Sequence, residues 1–328
     1  MKKPKVGFYW CASCGGCEEA VLDLAEDILG VVAAIELVFW PVALDFKRSD
    51  VEAMDDGEIA VCFVNGAIRT SEQNEMVKLL RKKSQLIAAF GSCAQLGGIP
   101  GLANMFNREE MIKEVYLRSP SVNNDAEITP KEDIQVNEGN LILPALWDTV
   151  KALDHVIDVD YFLPGCPPPV NLIEDVFNMI VEGELPPKRT VLAPDVALCD
   201  ECERREKKPD KLTLKEFKSP FEINIDPQEC LLAQGLLCLG PVTRKGCGGA
   251  CIKANMPCTG CMGPTGRVRD FGAKALTAIA TSIDSKDEKE INAIVDSILD
   301  PVGTLYRYSL PASFLHRHYE KMLIGGSK

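Results

Sequence analysis

The chain has 328 residues, 46% hydrophobic and 26% charged, which is an ordinary globular composition and excludes a mainly disordered, collagen-like or coiled-coil protein. At roughly 150 residues per domain, this length predicts two domains. The formal net charge of −12 argues against nucleic acid or an anionic membrane as a main partner. No apolar run reaches the ~18 residues of a membrane span, and the start of the sequence, MKKPKVGFYWC, lacks a signal-peptide or twin-arginine pattern. We therefore expect a cytoplasmic protein without a membrane span.

Strand and helix patterns alternate over residues 1–190. The predicted strands are 5–10, 35–40, 59–64, 86–90 and 159–163. The predicted helices are 18–29, 71–82 and 171–181, with Gly30 ending the first and Asn171 capping the last. Residues 119–139 are polar and weakly patterned, which favours an inserted loop. This alternation predicts an α/β fold, a flavodoxin-like doubly wound parallel sheet, as the first domain.

The character of the sequence changes over residues 191–328. Strand patterns largely disappear, a charge-rich loop covers 201–218, and helices are predicted at 273–283 and 288–299. Eight cysteines lie between Cys199 and Cys261. Apolar packing alone would not stabilise so irregular a segment, so we predict a second, cluster-rich iron–sulfur domain here.

Fourteen cysteines are unusual for a cytoplasmic chain, which keeps few disulfides, so they indicate metal ligands. Only three histidines are present: His155, His316 and His318. Metal binding would therefore depend almost entirely on thiolates, which suits zinc or iron–sulfur clusters. We expect His316 and His318 to make surface or subunit contacts, and Arg244 to be solvated or paired with an acidic residue of a partner.

Four cysteines follow predicted strands of the first domain. Cys14 and Cys17 follow the first strand, Cys93 the fourth and Cys166 the fifth. Because parallel strands end at one edge of the sheet, these four thiols can converge on one cluster. The alternative is that Cys93 and Cys166 are small buried residues. Cys62 lies inside an apolar strand and is expected in the core, whereas Cys11 is ambiguous because two residues separate Cys11 from Cys14, the same spacing as between Cys14 and Cys17.

The other eight cysteines are enough for two four-cysteine sites: Cys199, Cys202, Cys230, Cys238, Cys247, Cys251, Cys258 and Cys261. Two structural zinc sites remain an alternative. Zinc-binding pairs are usually about 12–20 residues apart. Cys202 and Cys258 are much farther apart, and single cysteines lie between them, which favours iron–sulfur clusters.

Several catalytic and nucleotide-binding motifs are missing from the sequence. We find no G-x-x-x-x-G-K-[ST], no G-x-G-x-x-G after the first strand and no H-E-x-x-H. No nucleophile and base pair is evident either. Metal ligands without a substrate motif indicate an electron-transfer protein.

The motifs together resemble those of the small subunit of nickel–iron hydrogenases over nearly the whole chain. They are CGGCEE from residue 14, GSCAQLGGIPG from 91, LPGCPPP from 163, CLGPVTRKGC from 238 and PCTGC from 257. The resemblance implies three 4Fe-4S clusters in this chain, with the nickel–iron centre in a separate large subunit. It also implies an electron path from dihydrogen oxidation in that large subunit to a partner.

The resemblance assigns the ligands by position. The proximal set would be Cys14, Cys17, Cys93 and Cys166. The medial set would be Cys247, Cys251, Cys258 and Cys261. The distal set would be Cys199, Cys202, Cys230 and Cys238. Oxygen-tolerant members have extra cysteines where this chain has Gly16 and Gly98, which implies an oxygen-sensitive protein.

Two departures from the common periplasmic form suggest a subtype. That form has histidine in place of Cys199. It also has proline in place of Cys251, which leaves its medial cluster as a 3Fe-4S cluster. The chain is more similar to the cytoplasmic methyl-viologen-reducing type, whose partners are a small iron–sulfur subunit and heterodisulfide reductase. Alternatives are an electron-transfer subunit of another redox complex, linked to quinone, NAD or deazaflavin, and a zinc-stabilised interaction protein.

Overall fold

The computed structural model describes residues 3–283 and 285–315, so His316 and His318 lie outside the described residues. The described strands are β1 (Lys5–Trp10), β2 (Glu36–Phe39), β3 (Ile59–Asn65), β4 (Ile68–Thr70), β5 (Ser84–Phe90), β6 (Asp133–Val136), β7 (Gly139–Ile142), β8 (Leu146–Lys151), β9 (Tyr161–Leu163) and β10 (Thr190–Val191).

The described helices are α1 (Gly16–Leu22), α2 (Ile28–Ala34), α3 (Arg48–Ala53), α4 (Ser71–Lys83), α5 (Ser92–Leu96), α6 (Arg108–Lys113), α7 (Val170–Glu182), α8 (Ala250–Lys253), α9 (Phe271–Ala280), α10 (Glu288–Asp296) and α11 (Pro301–Leu305). Short 3₁₀ segments lie at Ala25–Asp27, Ile99–Met105, Leu153–His155, Leu198–Asp200 and Arg205–Lys207, and a π-turn lies at Glu114–Arg118. Among these helices, none has both the length and the apolar character that crossing a bilayer requires.

A parallel sheet forms the centre of the first half of the chain. Within the described residues it has six strands in the order β2-β1-β3-β5-β9-β10, and every neighbouring pair is parallel. Numbered along the chain, the first five of these strands lie in the order second, first, third, fourth, fifth, the doubly wound order of flavodoxin-like folds, and the sixth, β10, pairs at the edge with β9. The predicted fold class is confirmed. Since the strands are parallel, the loops after β1, β5 and β9 leave the same edge.

Both faces of the sheet are buried. Alternate residues of β3 enter different apolar clusters, Phe63 on one face and Val64 on the other. Phe8 packs against Phe63 and Trp40 with ring centroids 5.1 Å and 4.7 Å apart. Burying each such side chain contributes about 1.5–3 kcal/mol, and sheets covered on both faces have nearly continuous apolar strands.

The predicted first helix, 18–29, is interrupted. α1 ends at Leu22, and Ala25 has a left-handed backbone with φ 51°, which breaks the helical hydrogen bonding. The chain becomes helical again in α2, which continues through Gly30. The prediction that Gly30 ends this helix was therefore wrong, because the interruption occurs earlier.

Two other local predictions need correction. α7 begins at Val170 with Pro169 at its N-cap, so Asn171 is not the cap. The predicted loop at 119–139 contains β6 and the start of the β6–β7 hairpin, which pairs antiparallel.

The part after residue 190 has mostly short elements. The described α9 and α10 begin close to the predicted helices but end three residues earlier. They enclose a separate apolar cluster that includes Leu239, Phe271 and Leu305. Cys230 and Cys238 pack against this cluster, whereas Cys247 and Cys261 pack against the apolar cluster on one face of the sheet.

Candidate metal centres

The proximal set comes together at the edge of the sheet. Cys14 and Cys17 follow β1, with Cys17 in the first turn of α1; Cys93 lies in α5 after β5, and Cys166 follows β9. Burial raises the pKa of Cys17 well above its usual range, and Cys93, Cys166 and Cys14 raise it further. Burial, Cys166 and Cys14 raise the pKa of Cys93 to about 12. Four thiols from three strand-end loops therefore lie within electrostatic range of one another.

Two glycines leave room around this set. Gly91 (φ 86°) and Gly98 (φ 56°) have left-handed backbones, and a Cβ at either would overlap a thiol sulfur, Cys17 Sγ and Cys93 Sγ respectively. Backbone N–H groups also point at the sulfurs: Gly16 N lies 3.4 Å from Cys14 Sγ, and the Ile99 N–H donates to Cys93. Such donors stabilise thiolates that carry charge.

The distal set lines a single cavity. Cys199, Cys202, Cys230 and Cys238 surround it, together with Arg204, Lys208, Leu231, Leu232, Gly240, Pro241 and Ile252. Burial raises the pKa of Cys199 to about 11; Lys208 acts against this shift, and the other three thiols add to it. Burial also raises the pKa of Cys238, although N–H groups of Gly240 and Cys258 donate to its sulfur.

The medial set lies between the other two. Burial and the Cys247 thiol raise the pKa of Cys261 to about 12, with smaller effects of Cys166 and Cys251. Burial raises the pKa of Cys258, and the largest effect of a neighbouring thiol comes from Cys238 of the distal set. Cys258 and Cys261 therefore each lie close to a different neighbouring set.

Hydrogen bonds connect successive sets. The Cys258 N–H donates to Cys238 Sγ over 3.4 Å, and the Cys166 N–H donates to the Cys261 sulfur. Ser92, which precedes Cys93 in the sequence, donates a hydrogen bond from its hydroxyl to the Cys261 carbonyl. The loops of the sheet edge and the later cysteine loops therefore form one continuous structure.

The chemistry of the donors fits iron–sulfur clusters. All fourteen cysteines are free, and the ligand candidates are thiols alone. Buried thiols that raise one another's pKa do not ionise by themselves, whereas bound metal supplies the positive charge that makes the thiolate stable. In residues 3–283 and 285–315, no group of three or more His, Cys, Asp or Glu side chains is placed so that it could hold a metal ion.

Cys11 and Cys62 lie elsewhere. Both are buried on the opposite face of the sheet from Cys17, in a different apolar cluster. Burial raises the pKa of Cys11, followed by the effects of Cys62 and Glu18, and none of the proximal thiols contributes.

Comparison with known proteins now identifies the family. The family model described as NADH ubiquinone oxidoreductase, 20 Kd subunit, matches residues 14–180. The iron-sulfur subunit of the F420-non-reducing hydrogenase of Archaeoglobus profundus is 40% identical over 316 residues, covering 95% of this chain and 98% of that protein. A subunit of the F420-non-reducing hydrogenase of Methanothermobacter marburgensis is 35% identical, and the match covers 98% of both chains. The chain belongs to this family of hydrogenase small subunits. The predicted recognition, including the methyl-viologen-reducing type, is confirmed.

A solved structure agrees with the fold. The [NiFeSe] hydrogenase from Desulfovibrio vulgaris Hildenborough matches with a TM-score of 0.51 and 17% identity, covering 80% of this chain and 94% of that chain. At this identity the likeness concerns the fold. Its relatives among the F420-non-reducing hydrogenases make this chain an oxidoreductase subunit, and the solved structure agrees with its α/β fold.

The sequence did not predict three polar residues of the site. Arg204 is 3% exposed beside the distal set, although its charged surroundings indicated a solvated loop. Ser92 and Tyr308 lie between the proximal and medial sets; the Tyr308 carbonyl accepts from Gly98 N at 3.0 Å, and its hydroxyl is 3.2 Å from Thr259 Oγ1. No pattern marks any of them, since each acts through tertiary contacts.

The expectation for Arg244 was wrong. Arg244 is 3% exposed, and its Nη2 lies 3.1 Å from Oδ1 of Asp195 in the same chain. It also donates to the carbonyls of Ala193 and Pro264. This arginine therefore joins two loops of the chain and is not available to a partner.

Proposed function

We propose that this chain is the electron-transfer subunit of a nickel–iron hydrogenase and binds three 4Fe-4S clusters. The proximal, medial and distal sets, as assigned above, would provide four thiolates each. The observation that carries the proposal is the series of contacts from one set to the next, Cys166 to Cys261 and Cys258 to Cys238. Adjacent ligand sets in series are what one-electron transfer along a chain of centres requires.

Bound clusters would supply one-electron carriers for the two electrons released when dihydrogen is oxidised in a large subunit. The protein's own part is to hold and tune them. Buried Cys17, Cys93 and Cys258 exclude water, and N–H groups of Gly240 and Cys258 stabilise the Cys238 thiolate. Burial and hydrogen bonds to sulfur set the reduction potential of such sites.

The proximal edge supports an interface with the large subunit. Cys14 and Cys166 are exposed there while Cys17 and Cys93 are buried, so the set opens to the surface on one side. Trp10 lies beside Gly15 at this edge and is 37% exposed. A large subunit seated here would bury the open side and keep water from the site.

We further propose that the electrons pass to a small iron–sulfur partner and heterodisulfide reductase in the cytoplasm. The names of the relatives, F420-non-reducing hydrogenases, favour an acceptor other than F420. Fourteen free cysteines are consistent with a reducing compartment.

A quinone-linked electron-transfer subunit is the second candidate, favoured by the description of the matching family model. That match ends at residue 180, before the medial and distal sets begin. The relatives that cover the whole chain are hydrogenase subunits, so we favour hydrogenase.

The test is anaerobic purification with the co-purifying chains, followed by metal analysis and a dihydrogen-dependent methyl viologen assay. We expect a brown complex in which this chain accounts for about twelve iron atoms and as much acid-labile sulfide, in addition to the iron of the co-purifying chains. A colourless protein with zinc in place of iron would overturn the cluster proposal. A brown protein that reduces quinone and does not consume dihydrogen would favour the second candidate.

A further inference from the structure

The candidate for a further role is Arg204, a buried cation at the distal set. It follows Cys202 by two residues and is 3% exposed. It lines the same cavity as all four cysteines of the distal set. Lys208 lines this cavity too but is partly exposed, so water screens its charge more strongly.

The hydrogen bonds of Arg204 leave one donor unused. Nη1 lies 3.3 Å from the carbonyls of both Asp226 and Glu229. Nη2 lies 3.1 Å from the Ile252 carbonyl and 2.8 Å from Asn255 Oδ1. A guanidinium has five N–H donors, and these contacts use four of them. The fifth, on Nε, is buried and has no partner among the residues that the structure describes.

The charge of Arg204 is also uncompensated. All its acceptors are neutral, and within residues 3–283 and 285–315 no ion pair joins it to a carboxylate. The neighbouring Glu201 accepts from the N–H groups of Gly246 and Gly248 instead. Burying a cation without a counter-charge is costly, so such residues are normally paired.

We propose that Arg204 compensates the charge of the cluster in the distal set and donates its Nε–H to a sulfur there. The proposal rests on the proposed function, which supplies the anionic partner that the cavity's own residues lack. Reduction by one electron adds one negative charge to a cluster that four thiolates already make anionic. A fixed cation beside it stabilises the reduced form more than the oxidised form. Arg204 therefore raises the reduction potential of the last centre of the series and draws electrons towards it.

The test is a redox titration of the intact complex, followed by electron paramagnetic resonance, in Arg204→Gln. We expect one of the three reduction steps to move to a more negative potential and the other two to stay, with iron content unchanged. The matched control is Arg205→Gln, which removes the same charge one residue along. Arg205 is exposed and pairs with Asp200 at 2.8 Å. In Arg205→Gln, the potential of the same reduction step should therefore move far less than in Arg204→Gln.

A second variant, Arg204→Lys, keeps the charge but not the forked donor, and we expect a smaller shift of the same step. Unchanged potentials in both Arg204 variants, or equal shifts in Arg204→Gln and Arg205→Gln, would overturn the inference. Loss of a whole cluster in both Arg204 variants would make the residue structural and also overturn it. The unmodified complex distinguishes failure of the proposed function from failure of this inference. If it shows no iron-based reduction steps, the proposed function fails. If it shows three such steps and their potentials do not depend on Arg204, only this inference fails.

Discussion

The backbone N–H of Cys258 donates to the Sγ of Cys238 over 3.4 Å, so a residue of the medial set contacts a thiol of the distal set. Leu239 N returns a bond of 2.8 Å to the Cys258 carbonyl, which fixes the two segments side by side. At the other end of the same CTGC segment, the Cys261 sulfur accepts from the Cys166 N–H. One four-residue segment therefore connects all three sets.

This arrangement predicts magnetic interaction between the proposed medial and distal clusters when both are reduced and paramagnetic. The fully reduced complex should give a broadened, spin-coupled electron paramagnetic resonance signal. Cys230→Ala, which removes one of the proposed ligands of the distal cluster, should simplify this signal, whereas Cys62→Ala should not. Simple, additive signals in the unmodified protein would contradict adjacency of the two clusters.

The sequence was sufficient to predict the sheet and the approach of the four thiols that follow its strands. The apolar runs around Phe8, Phe63 and Phe90 predict strands, and parallel strands bring the residues after them to one edge whatever the details of packing. Cys14, Cys17, Cys93 and Cys166 could therefore be grouped before any contact was known.

The remaining site could not be predicted from local pattern. The medial and distal cysteines lie on irregular segments, whose spacing contains no information on which thiols meet, and their grouping depended on resemblance. A run of charges is normally solvated, so Arg204 was missed; its burial depends on the carbonyls of Asp226, Glu229 and Ile252, which lie on two segments distant from it in the sequence. Ala25 likewise interrupts a regular helical pattern through its own backbone conformation.

Cys11 and Cys62 should be dispensable for metal binding. Both lie on the face of the sheet away from Cys17, so Cys11→Ala and Cys62→Ala should keep the iron content and visible spectrum of the unmodified protein. Because Cys62 is fully buried, its loss should lower the free energy of unfolding by about 1 kcal/mol. Iron analysis and thermal unfolding check both points. Loss of one cluster in Cys11→Ala would mean that Cys11, and not Cys17, pairs with Cys14.

Gly91→Ala should prevent assembly of the proximal cluster. At φ 86° and ψ 168° the backbone is in a region essentially restricted to glycine, so alanine is strained by about 1–3 kcal/mol, and the added methyl group would overlap the Cys17 sulfur. We expect the loss of about four iron atoms per chain. Gly183→Ala is the control for a substitution at positive φ, since Gly183 has φ 75° but open space around its Cβ position. The Gly183→Ala variant should have a lower melting temperature because of the strain, and it should keep all its iron. Equal loss of iron in both variants would mean that backbone strain alone causes the loss.

Cys251 should decide the type of the medial cluster. The residue is exposed at the second position of α8, and burial and neighbouring thiols, Cys251 among them, raise the pKa of Cys261. A thiolate within reach should fill the fourth iron corner and give a 4Fe-4S cluster. Proline is tolerated in a first helical turn, whose N–H groups have no partner within the helix, so Cys251→Pro should fold.

The Cys251→Pro variant should lose about one iron atom and acquire the signal of an oxidised 3Fe-4S cluster, with a reduction potential higher by roughly several hundred millivolts. Electrons would then remain on the medial centre, so turnover with low-potential acceptors should fall while dihydrogen activation in the large subunit continues. Cys251→Ala removes the thiol without changing the backbone and should give the same signal, which separates loss of the ligand from an effect of proline. The decisive measurement is electron paramagnetic resonance of oxidised samples prepared without oxygen. A 3Fe-4S signal already present in the unmodified protein would exclude Cys251 as a ligand, and the medial set would then have three thiolates.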